Sequence, residues 1–217
     1  MKINILAGGP QQYLPNLNDY CFDEVLWIGV DRGAYTLIKK GIAIDYAFGD
    51  FDSVDESQYS MIKQHVPHLQ RVKPEKDETD MELALLWAIE QKPEEITVFG
   101  ATGGRLDHFF ANTQLLIQPL LNDILVPIRL VDKQNQIMVK KSGHYQIAKE
   151  STYPYISFIP VTENVRNLTL TGFKYPLTNH FVPLGSTLCI SNELIDDNGT
   201  FSFDKGILMV IRSKDEK

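Results

Sequence analysis

Three short strings concentrate the side chains able to do chemistry. In Gly49-Asp50-Phe51-Asp52-Ser53, two carboxylates stand two residues apart at the end of an apolar run. If the chain stays extended they project to one side, and acids held that close repel unless a cation lies between them. Mg²⁺ takes oxygen ligands and is commonly held by one or two carboxylates plus substrate phosphates. A local alternative exists, because Ser53 and Glu56 have capping-box spacing. The second string is Lys76-Asp77-Glu78-Thr79-Asp80-Met81-Glu82, where Thr79 and Glu82 repeat that spacing and Asp80 favours the positive end of a helix dipole. Capping accounts for Thr79 and Asp80 but leaves Asp77 unexplained.

The third string, Gly100-Ala101-Thr102-Gly103-Gly104-Arg105-Leu106-Asp107-His108, takes a strand through glycines into a helix. Such turns let backbone N–H groups approach phosphate oxygens, and Arg105 adds a planar donor suited to them. The pattern is neither GxGxxG nor GxxxxGK[ST], so it borrows no specificity from either. A plain βα turn with a surface Arg105 and a packed His108 is the bland alternative. Asp31, between Val30 and Arg32, also sits where a strand gives way to a helix, and a helix N-cap is its simplest role. His65, His68, His144 and His180 carry no such context.

These residues need strands and helices to present them. Strands are expected at 3–7, 24–30, 46–49, 69–72, 96–100 and 128–131, with helices at 33–40, 55–65, 80–91 and 105–121. Gly41 suits the position just past the first helix. Alternation of this kind predicts an α/β domain with a mostly parallel sheet covered by helices. Asp31, the Asp50–Asp52 pair, the Asp77–Asp80 segment and the glycine–arginine turn each follow a different expected strand. In an open parallel sheet those ends share one edge, where ligands bind. Acids, glycines and Arg105 on that edge point to a metal–nucleotide site.

After about residue 133 the helical pattern stops. Short strand-like runs at 145–148, 155–159, 167–171, 187–191, 200–203 and 207–212 are separated by turn signals such as Asp197-Asn198-Gly199 and Asp204-Lys205-Gly206. The expectation is an α/β domain over 1–133 and a small antiparallel β-domain, a sandwich or an open barrel, over 134–217.

Bulk properties narrow the class further. The 217 residues are 43% hydrophobic, enough for a packed core. A formal net charge of −7 without a basic block argues against nucleic-acid or acidic-membrane partners. Two cysteines, Cys21 and Cys189, suit neither a disulfide framework nor a structural zinc site. No segment approaches a signal core or a membrane span, so a cytoplasmic protein is expected.

Taken in order, GDFDS, KDETDMELAL and GATGGRLDH resemble the thiamine pyrophosphokinase family, and Gly172-Phe173-Lys174-Tyr175-Pro176-Leu177 with Ser191-Asn192-Glu193 extend the resemblance through the β-domain. It implies an ATP-binding catalytic domain over 1–133, a thiamine-binding β-sandwich over 134–217, and a homodimer whose site is shared between the nucleotide domain of one subunit and the β-domain of the other. The implied reaction is Mg²⁺-dependent transfer of the pyrophosphoryl group of ATP to thiamine, giving thiamine diphosphate and AMP. It implies Asp50, Asp52 and Asp80 as metal ligands. Asp52, Asp80 and Arg105 become the catalytic residues, with Asp80 or Asp52 as base. ATP falls to Asp31, Ser53, Thr79, Thr102, Gly103, Gly104, Arg105, Asp107 and His108, and thiamine to Ser191 and Asn192. Arg32 departs from the small residue that many relatives carry there. Three rivals stand beside this reading: a pyrophosphokinase for another alcohol such as a hydroxymethylpterin, a Mg²⁺-dependent phosphohydrolase, and a non-catalytic nucleotide or thiamine sensor.

Overall fold

The apolar runs at 2–6, 25–30, 46–49, 96–99 and 128–131 become largely buried strands, as a helix-covered parallel sheet requires, while the edge run at 68–71 is largely exposed. The computed structural model describes residues 1–71 and 77–216. Chain contacts divide it into two units, Met1–Lys133 and Gln134–Lys217.

In the first unit the strands are β1 (Lys2–Leu6), β2 (Val25–Val30), β3 (Tyr46–Gly49), β4 (His68–Arg71), β5 (Ile96–Phe99) and β6 (Ile128–Val131). Val72, expected to end the fourth strand, lies outside the described residues. The order β6-β5-β1-β2-β3-β4 is parallel at every pairing. From β1 the chain therefore steps through β2 and β3 to β4, then crosses back to β5 on the other side of β1. That reversal between β1 and β5 is the topological switch at which open α/β sheets form a crevice.

Among the described residues four α-helices cover the sheet: α1 (Arg32–Lys39), α2 (Glu56–His65), α3 (Asp80–Glu90) and α4 (Leu106–Leu121). Gly41, with φ of 70°, closes α1 as expected. α2 is capped by Asp55, which accepts from Gln58 N–H at 2.9 Å while Gln58 answers the Asp55 N–H. The expected Ser53–Glu56 box does not form, and Ser53 is an exposed turn residue. Side chains of Leu6, Leu37, Phe51, Ile62 and Phe99 share one buried cluster. On α3, Trp87 packs against Tyr46 and Phe48 of β3, at ring separations of 4.2 and 6.0 Å. Fully buried apolar side chains such as Leu6, Leu37 and Ile62 each contribute about 1.5–3 kcal/mol.

The second unit is antiparallel at every pairing, so over the whole chain the strand pairing is mixed rather than mostly parallel. Its strands are β7 (Asn135–Ala148), β8 (Tyr155–Pro160), β9 (Asn164–Thr171), β10 (Leu177–Pro183), β11 (Asn192–Glu193) and β12 (Asn198–Ser213). The runs expected at 200–203 and 207–212 are one strand, because Asp204-Lys205-Gly206 forms a bulge in β12 rather than a hairpin turn. Before that bulge β12 pairs with β9, and after it with β8, while β7 follows the opposite edge along the whole length. The expected strand at 187–191 is irregular chain leading into β11. Phe158, Val165, Leu168, Leu170, Phe201 and Leu208 lie in this unit's core.

Candidate active site

Four loops meet at the carboxyl edge of the parallel sheet. After β1, Gly9 N–H donates to Gly100 carbonyl at 2.9 Å, joining the first loop to the one after β5. A Cβ on Gly9 would stand 2.2 Å from that oxygen, so the approach tolerates only glycine. Gly8 lies beside Arg32, the first residue of α1. Preceding it, Asp31 reaches the loop after β3 by accepting from Phe51 N–H at 3.3 Å. Gly8-Gly9 joins the site although no sequence expectation included it. The same criterion, glycines at the end of a strand, would have found it.

Asp31 occupies the N-cap position of α1 without capping it. Its backbone, at φ 48° and ψ −120°, turns the carboxylate away from the helix and toward β3. Backbone strain at such a position marks a side chain aimed for a purpose other than local structure. Gly49 carries no Cβ against this carboxylate; one would lie 2.0 Å from Asp31 Oδ1.

Among the described residues, the carboxylates that could share one cation are Asp31, Asp50 and Asp80, each offering an oxygen within 4.8 Å of the others. Two of the expected ligands, Asp50 and Asp80, are in this group; Asp31 joins them and Asp52 lies outside it. The reason lies in Phe51. Its φ of 62° breaks the extended backbone on which the projection of Asp50 and Asp52 to one side depended. Its ring is buried against Tyr59 of α2, at 5.4 Å. Asp52 is left exposed, its N–H donating to Asp50 Oδ1 at 3.0 Å. Asp80 enters from the first turn of α3, whose N-cap Thr79 accepts from Glu82 N–H at 3.1 Å. Thr79 thus spends its hydroxyl on the helix, as the capping reading expected.

Crowding of the three acids shows in Asp31, whose carboxyl is pushed up to about 7 by burial and by the neighbouring Asp80, then Asp50 and Asp52; the Phe51 N–H opposes the rise. A hard divalent cation held by oxygen donors relieves that repulsion, so the residues present fit Mg²⁺.

In the glycine turn, Gly103 and Gly104 are exposed with φ of 76° and 68°. Arg105 precedes α4 and forks onto Asp107, Nε to Oδ1 at 3.1 Å and a terminal nitrogen to Oδ2 at 2.5 Å. That pairing holds the Asp107 carboxyl down at about 2, and Asp107 also accepts the His108 N–H. His108 itself is exposed rather than packed. Thr102 is buried, its hydroxyl given to Asp132.

In the second unit Ser191 is exposed at φ 55°, while Asn192 is 2% exposed. Asn192 donates to Tyr175 carbonyl at 2.8 Å and accepts from Tyr175 N–H at 3.1 Å and from Glu193 N–H at 2.9 Å. Its amide therefore clamps the Tyr175 backbone and leaves the Tyr175 ring 60% exposed.

Comparison with known proteins agrees with this geometry. Residues 17–128 match the family model described as thiamin pyrophosphokinase, catalytic domain, and residues 144–208 match thiamin pyrophosphokinase, vitamin B1 binding domain. The curated thiamine pyrophosphokinase of Bacillus subtilis (strain 168) is 54% identical over 213 residues, 98% of this chain and 99% of its own. A crystal structure of thiamine pyrophosphokinase from Bacillus subtilis superimposes with a TM-score of 0.93 at 51% identity, covering 100% of both chains. One from Geobacillus thermodenitrificans gives 0.92 at 50%, covering 100% of this chain and 99% of its own.

Proposed function

The chain belongs to the thiamin pyrophosphokinase family, and from that premise we propose that it transfers the pyrophosphoryl group of ATP to the hydroxyl of thiamine, giving thiamine diphosphate and AMP. The observation that carries this reading is the convergence of Asp31, Asp50 and Asp80 on a sheet edge that also bears the glycine–arginine turn.

Asp31, Asp50 and Asp80 would hold Mg²⁺. When bound there, the ion neutralises charge on the phosphate oxygens and orients them. The first unit is the ATP-binding domain in this reading, with the N–H groups around Gly103 and Gly104 facing phosphate and Arg105 exchanging Asp107 for it. Asp107, His108, Thr102, Ser53 and Thr79 border that site. Thr79 supports it by fixing the start of α3 and hence Asp80.

In the reaction, the alcohol oxygen of thiamine bonds to the β-phosphorus as the bond from that phosphorus to the α,β-bridging oxygen breaks. AMP departs with the bridging oxygen. Arg105 stabilises charge on the transferring group, and positioning supplies most of the remaining rate. The alcohol proton must pass to a base. Asp80 is committed to the three-acid set, so Asp52, exposed and joined through its N–H to Asp50, is the carboxylate assigned to receive that proton.

The second unit, read as a sandwich, would bind thiamine, with Ser191 near the ligand and Asn192 acting on the Tyr175 backbone. A homodimer is supported by the exposed apolar side chains Tyr175, Phe181, Leu184, Leu188, Ile190 and Ile195, all in that unit. A cytoplasmic setting is supported by the free cysteines Cys21 and Cys189. Among the described residues no helix is long and apolar enough to cross a membrane.

The test is an assay of purified protein with ATP, Mg²⁺ and thiamine that resolves AMP, ADP and the thiamine phosphates. Thiamine-dependent AMP with an equal yield of thiamine diphosphate is expected. Nucleotide cleavage without a thiamine product would remove thiamine as acceptor, and ATP binding without turnover would make the chain a sensor.

A further inference from the structure

Asp132 follows directly on β6, outside every string that carries the family resemblance. It is 4% exposed, and its Oδ2 accepts the hydroxyl proton of Thr102 at 2.6 Å. Thr102 is itself 7% exposed and sits between Gly100 and Gly103, both at positive φ. A turn with so many left-handed glycines has little steric definition of its own. Its shape has to come from outside.

The structure shows where it comes from. Asn112 of α4 donates to Ala101 carbonyl at 3.0 Å, and Asp132 takes the next side chain along. Beside them, Lys133 N–H donates to Tyr13 carbonyl at 2.8 Å. The Tyr13 ring lies so close over Gly103 that a Cβ there would be 2.5 Å from it. The end of β6 thus grips the turn from two directions, through a buried side-chain bond and through Tyr13. A buried hydroxyl deprived of its acceptor is costly, so the Thr102–Asp132 bond allows the turn few alternatives.

We infer that Asp132 is a positioning residue for the phosphate-facing turn, acting through Thr102 and never touching the nucleotide. The inference rests on the ATP-binding role proposed for Gly103, Gly104 and Arg105. Losing the bond frees the backbone N–H groups to point elsewhere, so ATP binding weakens while the thiamine side is untouched.

The experiment measures ATP affinity by calorimetry with Mg²⁺ and no thiamine, alongside the steady-state KM for thiamine and the melting temperature. Asp132→Ala should weaken ATP about tenfold, the size expected for an orphaned buried hydroxyl, and leave the thiamine KM within about twofold. Asp132→Asn keeps an acceptor oxygen and should restore most of the affinity. Thr102→Val should reproduce the Asp132→Ala loss, and combining the two should add little. Should Asp132→Ala not fold, Asp132→Asn and Thr102→Val carry the comparison. Unchanged ATP affinity in folded Thr102→Val, or equal weakening of ATP and thiamine with a lowered melting temperature, overturns the inference. Wild-type protein that binds ATP yet forms no thiamine diphosphate overturns the reaction instead, and the calorimetric comparison still decides the role of Asp132.

Discussion

Gly49 leaves vacant the volume that the Asp31 carboxylate needs: a β-carbon there would lie 2.0 Å from Asp31 Oδ1. The two residues end adjacent parallel strands, β2 and β3, so the sheet register fixes their spacing. The glycine is part of the acid cluster by subtraction.

Gly49→Ala should therefore drive Asp31 out of the cluster. With a misplacement of about 1 Å costing on the order of 100-fold, thiamine-dependent AMP release should fall by that much. Mg²⁺ titration of the folded variant, followed by melting temperature, should show weakened stabilisation. A variant with normal Mg²⁺ response would sink the assignment of Asp31 to the metal.

Asp31→Asn should separate stability from activity. The folded carboxyl titrates at about 7 against an ordinary value of 3.8. A raised value means that folding is favoured by the protonated form. That contribution is complete below about 3.8 and is lost as pH rises through about 7. In chelator, the variant should match wild type near pH 4 and melt several degrees higher at pH 8, since about 1 kcal/mol moves Tm by about 2–4 °C at this size. Turnover should be lost. A melting difference independent of pH would refute the titration of Asp31.

Arg105 is tied to Asp107 in a fork that lysine cannot reproduce. Arg105→Ala should lower turnover about 100-fold, and Arg105→Lys should recover only part of it. In the nucleotide-free protein Asp107 is held at about 2, so its protonation adds no inflection to kcat/KM between pH 5 and 9. The pH–rate profile of Asp107→Asn, compared with wild type, checks this.

Asn192→Ala should raise the thiamine KM and leave ATP affinity alone, because the amide holds the Tyr175 backbone within the second unit. Orphaning the Tyr175 and Glu193 N–H groups should also cost about 1–3 kcal/mol of stability, measured by denaturant unfolding. Unchanged thiamine KM would end the link between Asn192 and the acceptor.

The first unit was readable because its strands are short, apolar and punctuated. Residues 46–49 and 128–131 form β3 and β6 as expected, and the four helices begin or end within a residue of expectation at most termini. The acid cluster was legible in its location but not in its membership. Which of Asp31 and Asp52 joined Asp50 and Asp80 turned on the single dihedral at Phe51, and no periodicity records that. In the second unit, a strand was expected only at 145–148, yet β7 starts at Asn135 and runs through Lys140-Lys141-Ser142-Gly143, whose polar and glycine residues carry no strand signal. β10 escaped notice because it pairs with β9 alone and leaves most of its side chains exposed. Asp132 was invisible for a different reason: its meaning comes from Thr102, thirty residues earlier.

β12 pairs with β7, β8 and β9, and it follows all three in the chain. During synthesis the parallel sheet has every strand available once Val131 has emerged. The second unit must wait until residues through Ser213 have left the ribosome, with the β12-facing edges of β7, β8 and β9 unpaired meanwhile. A stalled or truncated nascent chain would thus carry a complete parallel sheet joined to a sticky, chaperone-attracting tail.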